Sequence, residues 1–187
     1  MGRTPEQSVE ISCLAPASMF TLCSIKLELE GADMSMELYV FSDRPIKSML
    51  EWQEAITVDG FDIKLHGQAV FEDLNGFLPM RLEGAGTGVE VGHTDSAEAI
   101  DWFRKDGFPF DHQWSHALWF CWGGDLRELV VAHSTAASYA RVTQGVVFDC
   151  EEGRILGADE ALDLARKLAV EVKDELGPPL YVWKDTD

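Results

Sequence analysis

The chain has 187 residues, enough for one domain with a sizeable core, and its 46% hydrophobic content argues against intrinsic disorder. Asp and Glu number 33 against 15 Lys and Arg, a formal net charge of -18, so the surface repels phosphate backbones and anionic membranes and nucleic acid is not expected as a direct ligand. Four cysteines without a CxxC pair fit neither a zinc knuckle nor a dense disulfide framework.

No apolar h-region follows Arg3 and no apolar run reaches transmembrane length, so the expectation is a cytoplasmic protein without a membrane span. Residues 1–10 are expected to be a flexible tail and residues 11–187 a single α+β domain. Ile25, Leu27 and Leu29 alternate with polar neighbours, and so do Met34, Met36, Leu38 and Val40 after Gly31-Ala32-Asp33, a pattern that predicts a β-hairpin. Asp43 offers an N-cap, Pro45 fits a first turn, and Ile46, Met49, Leu50, Gln53 and Ile56 follow at helical spacing up to Asp59-Gly60. Phe61, Ile63 and Leu65 make a short strand. Beyond it, Asn75-Gly76 predicts a turn, and Pro79 argues against a central strand. The glycine-rich run Gly84-Ala85-Gly86-Thr87-Gly88 lacks Gly-Lys-Ser/Thr and a following helix, so it is a turn and not a phosphate loop.

The second half is organised around residues 117–176. Asp95 and Glu98 open a helix over 96–105 with the spacing of a capping box. Leu118 to Trp122 is an almost unbroken apolar run, as in a strand covered on both faces. Asp125 caps a helix whose stripe is Leu126, Leu129, Val130, His133, Ala137 and Ala140, and Gly145 is placed to take the left-handed position after it. Val146-Val147-Phe148 is a short strand, and Gly157 opens a last helix reaching Leu176. Leu180 to Trp183 would add an edge strand. A strand–helix–strand succession of this kind crosses over if its two strands are parallel.

Residues 133–162, with Gly145-Val146-Val147, Asp149, Gly153 and Ala158-Asp159-Glu160-Ala161-Leu162, resemble the closing helix–GlyValVal–Asp–Gly–helix segment of several small bacterial families. Some of these are uncharacterised and some are immunity proteins that neutralise toxins. The resemblance implies a small bacterial protein and carries no catalytic residue.

Asp111, His112 and His116 are the candidate metal ligands, with His93 and Asp95 upstream. Histidines four apart converge on one ion only on a helix; in extended chain they lie roughly 13 Å apart. His133, on the apolar stripe of its helix, is either a buried neutral imidazole or a general base, and His116 is the other candidate catalytic group. No Gly-x-Ser-x-Gly elbow occurs. Phe108, Phe110 and Trp114, if exposed, would form an aromatic anchor rimmed by acids, the usual build of a protein-binding surface.

The expectation is therefore an α+β domain with a mostly antiparallel sheet and helices mainly on one face. Its expected role is non-enzymatic binding of a basic protein partner, of the immunity or inhibitor type, with no cofactor. The alternatives are a small metal-assisted hydrolase using Asp111, His112 and His116, and a homo-oligomer whose interface is the aromatic patch.

Overall fold

The structure, a computed structural model, describes residues 35–179. Its strands are β1 (Met36–Ser42), β2 (Ile63–Leu65), β3 (Asn75–Leu82), β4 (Ala85–Thr94), β5 (His116–Trp122), β6 (Val146–Asp149) and β7 (Arg154–Gly157). The helices are α1 (Met49–Val58), α2 (Ser96–Lys105), α3 (Leu126–Thr143) and α4 (Ala158–Glu171). The strands form one seven-stranded sheet in the order β2-β3-β4-β5-β1-β6-β7, with every neighbouring pair antiparallel. Because β5 and β6 are each antiparallel to β1, they are parallel to each other, and α3 carries the chain over β1 between them.

The α+β class and the antiparallel sheet agree with the sequence pattern, while the expected amino-terminal hairpin is described only in part of its second arm. Its first arm, residues 25–29, lies outside the described residues, as does the edge strand expected at 180–183. β1 itself is a central strand with both edges taken, Leu38 facing Phe120 of β5 on one side and Asp149 of β6 on the other. Alternation fixed its two faces and left its neighbours open.

Those faces build two cores. On one, Leu38, Val40, Leu118, Phe120 and Val147 pack beneath α1, α3 and α4, with Trp52, Ile56, Val130, Ala137, Leu162 and Ala165 closing the layer. On the other, Tyr39, Phe41, Ala117 and Phe148 meet Ala99, Ile100 and Phe103 of α2 together with Phe110. Each fully buried side chain of this size contributes roughly 1.5–3 kcal/mol. Three helices thus lie on one face and one on the other.

Local chemistry explains where the elements begin. Ser48, not Asp43, caps α1, its hydroxyl accepting from the Glu51 N–H at 3.2 Å. The Asp95 carboxylate accepts from Glu98 N at 2.8 Å, and Asp125 from Arg127 N and Glu128 N at 2.8 and 3.4 Å, both where expected. Gly157 has no capping side chain, and instead its N–H is taken by the Glu160 carboxylate at 3.0 Å. α4 ends at Glu171, short of Leu176, and continues as a 3-10 turn over Lys173–Glu175.

Two sequence expectations fail in the β3–β4 hairpin. Pro79 sits inside an eight-residue strand. Its carbonyl accepts from His66 N at 3.1 Å on the β2 side, so its missing N–H points past the end of three-residue β2 and leaves the β4 ladder intact. The glycine-rich run is mostly strand: only Glu83 and Gly84 form the turn, both with positive φ (50° and 81°), as a two-residue hairpin loop requires. Gly88 is glycine because a Cβ there would come within 2.5 Å of the Leu78 carbonyl.

α3 is buried on all sides from Val130 to Ala140 and lies at the centre of the helical layer. Alanines and serines let its neighbours approach, and Thr135 returns its hydroxyl to the Val131 carbonyl at 2.6 Å. Gln144, not Gly145, takes the left-handed position after it (φ 58°). Gly145 is required for space, since a Cβ would lie 2.3 Å from the Phe41 carbonyl.

Candidate functional site

The segment joining α2 to β5 holds most of the side chains singled out from sequence. It is stapled by Arg104, whose Nε donates to the Phe110 carbonyl at 3.0 Å and whose terminal nitrogens reach Gln113 Oε1 at 3.1 Å and the His112 carbonyl at 3.5 Å. Ser96 Oγ holds the Trp114 carbonyl at 2.7 Å. Thus pinned, Phe110 is buried, stacked on Phe103 at 5.8 Å and edge-on to Phe41 and Phe148 at 5.2 Å each. Phe108 and Trp114 are half-buried, Phe108 against Phe148 and the backbone of Gly153. The expected exposed aromatic anchor is therefore corrected: Phe110 belongs to the second core, with Phe108 and Trp114 packed at its edge.

His112 and His116 are both exposed, but His112 turns to Asp43, with Nε2 2.9 Å from its carboxylate, and packs edge-on to Trp114 at 4.3 Å. His116 is the first residue of β5, opposite Ser42, and Asp111 is exposed on the loop. His93 contacts the Phe71 carbonyl through Nε2 at 2.7 Å. Among the described residues no three His, Cys, Asp or Glu side chains are arranged to hold a metal ion, the Asp111, His112 and His116 set included.

His133 is buried on the helix-covered face, edge-on to Trp122 at 5.6 Å. Burial holds its imidazole below the usual histidine range, the nearby Asp149 pulling the other way and Arg154 adding to the depression. Asp149 is occupied in its own turn, one carboxylate oxygen accepting from Glu151 N and Glu152 N at 3.1 Å each. On the opposite face Glu37, Cys121 and Glu90 lie side by side across β1, β5 and β4, with Cys150 just beyond β6. Burial is the main cause that pushes the Cys150 thiol and the Tyr39 hydroxyl far up, and it also raises the Glu37 carboxyl beside Glu151. A thiol so shifted stays protonated and is a poor nucleophile.

A concave feature among the described residues lies in the stretch the sequence pattern left mostly unassigned. After the His66–Pro79 bond the two arms part: residues 66–70 leave β2, make a 3-10 turn at Phe71–Asp73 and return as β3. Phe71 and Leu74 anchor the closed end under α3, Phe71 stacking on Tyr139 at 6.1 Å. The slot between the arms has a volume of about 390 Å³ and is lined by Gln68, Val70, Asp73, Asn75 and Leu78 among others. Val70 and Phe77, which both line it, are 51% and 53% exposed, among the few large apolar side chains open to solvent in the described residues. The sequence pattern assigned only Asn75-Gly76 here, as a turn, whereas those two residues open β3.

No protein-family model, curated protein or solved structure matches this chain.

Proposed function

We propose that this chain is a non-enzymatic binding domain that captures a basic protein partner, of the immunity or inhibitor type. The observation that carries the reading is how unequally the two signs of charge are used. Five arginines are tied to main-chain carbonyls within the fold: Arg44 to Val142, Arg104 to Phe110, Arg127 to Gly177, Arg141 to Ala55 and Arg166 to Asp59. Lys167 and Lys173 are paired with Glu171 and Glu83. Exposed carboxylates such as Glu54, Asp62, Glu72, Asp73, Asp106 and Glu152 make no ion pair among the described residues. Many cations are thus engaged within the fold while these carboxylates stay open to solvent, and a chain of net charge -18 projects a strongly negative field. Such a field raises the encounter rate with a basic surface and disfavours acidic partners.

Three of the five histidines support the same reading by their separate structural roles, His93 bonded to a carbonyl, His112 paired with a carboxylate and His133 buried against a tryptophan. The test is equilibrium binding of the purified chain to the basic proteins encoded beside its own gene, with an acidic neighbour as control. Complex formation with a basic neighbour that weakens at least tenfold between about 50 and about 500 mM salt is expected. Binding to none of them, or binding indifferent to salt, overturns the proposal.

A further inference from the structure

We infer that the slot between residues 66–70 and β3 is the contact point for the partner, and that it takes an extended segment in which a lysine or arginine alternates with apolar side chains. The inference rests on the acidic-binding reading above and adds to it a place and a shape.

Three observations converge on it. The first is form: β3 runs on past the end of β2, so residues 75–78 meet no strand on that side among the described residues, an open edge along which an extended chain can lie. The slot's volume of about 390 Å³ is that of a site holding a few side chains. The second is the apolar pair Val70 and Phe77, both lining the slot and each about half exposed, Phe77 with its ring lying over Gly88 of β4. Exposed apolar side chains beside a concavity are where anchor residues of a partner lodge.

The third is charge. Asp73 lines the closed end and Glu72 is its neighbour; both are exposed and neither has an ion-pair partner among the described residues. The cations of this sheet edge, Lys64 and Arg81, are paired in register on the far side of the His66–Pro79 bond. The slot is thus negative at its closed end, and a basic side chain of the occupant belongs beside Asp73 with apolar ones against Val70 and Phe77. Gln68 and Asn75 supply amide groups for the occupant's main chain.

The experiment uses a capped hexapeptide alternating lysine and valine, a glutamate–valine counterpart and hexalysine. Each is titrated into the full chain at low salt by calorimetry and by amide chemical shifts. The lysine–valine peptide is expected to bind more tightly than hexalysine, with shifts confined to residues 66–79, and the glutamate peptide not at all. Asp73→Lys and Val70→Ser, both at exposed positions, should each weaken the lysine–valine peptide about tenfold or more without lowering the melting temperature. If either variant binds as the wild type does, or if the shifts fall elsewhere, the slot is not the site while the acidic-binding reading stands. If neither lysine peptide binds the wild type, that reading falls with it.

Discussion

Single side chains in this fold are matched closely to their surroundings, and two of them set measurable stability terms. His133 has a folded-state affinity for protons below that of the unfolded chain, because burial penalises the imidazolium. Its contribution is therefore complete above the ordinary histidine value of about 6.5 and is lost as pH falls through that value toward the depressed one. His133→Gln should flatten the wild-type decline in melting temperature between about pH 7 and pH 5, read by thermal unfolding at half-unit steps; an unchanged profile would place the decline elsewhere. Asp59, at the end of α1, is buried and held by Arg141 Nε at 2.5 Å. Arg141→Met leaves that carboxylate without its counter-charge and is expected to cost about 3 kcal/mol in denaturant unfolding, with Asp59→Asn in the same chain recovering part of it. Neither environment was legible in sequence. His133 was recognisable as lying on an apolar stripe, but the identity of Trp122 and Asp149 as its surroundings depends on which strands lie beneath α3. The exposure of Phe108, Phe110 and Trp114 likewise turned on where Arg104 pins the loop.

At the scale of elements, what the sequence revealed is what is encoded within one turn of chain. The starts of α2 and α3 follow from Asp95 and Asp125, whose carboxylates satisfy open N–H groups at the positions the spacing implied. Where local signals compete, tertiary structure chose: Ser48 over Asp43, and a strand through Pro79 because β2 stops before it. The slot between residues 66–70 and β3 was hidden for the same reason, since the proline concealed the strand that forms its inner bank. α3 was assigned as amphipathic, yet its outer face of Val131, Thr135 and Ser138 is also buried. The end of α3 offers a direct check on the local chemistry. Gln144 occupies the left-handed region at a cost that glycine does not bear, so Gln144→Gly should raise stability by about 0.5–1 kcal/mol. Gly145→Ala should instead lower it by well over 1 kcal/mol, because the added Cβ meets the Phe41 carbonyl. Equal effects of the two substitutions would contradict this division of roles.

At the scale of the whole molecule, the described residues form a seven-stranded sheet with three helices on one face and an aromatic-rich α2 layer on the other. No described helix is long and apolar enough to cross a membrane. The order of strands was the part least accessible from the chain, because β1 pairs with β5 and β6, both far along the sequence. Charge, in contrast, was fully accessible, and the fold adds the detail that five arginines are tied to main-chain carbonyls while several exposed carboxylates make no ion pair among the described residues. Capture of a basic partner, as proposed, depends on the net negative charge acting at a distance. Its most direct test is the association rate constant of a fluorophore-labelled lysine–valine peptide, followed by stopped flow across ionic strength. An electrostatically steered encounter predicts a rate constant that rises at least tenfold as salt falls from about 500 to about 50 mM. A rate constant that stays flat over that range would contradict it.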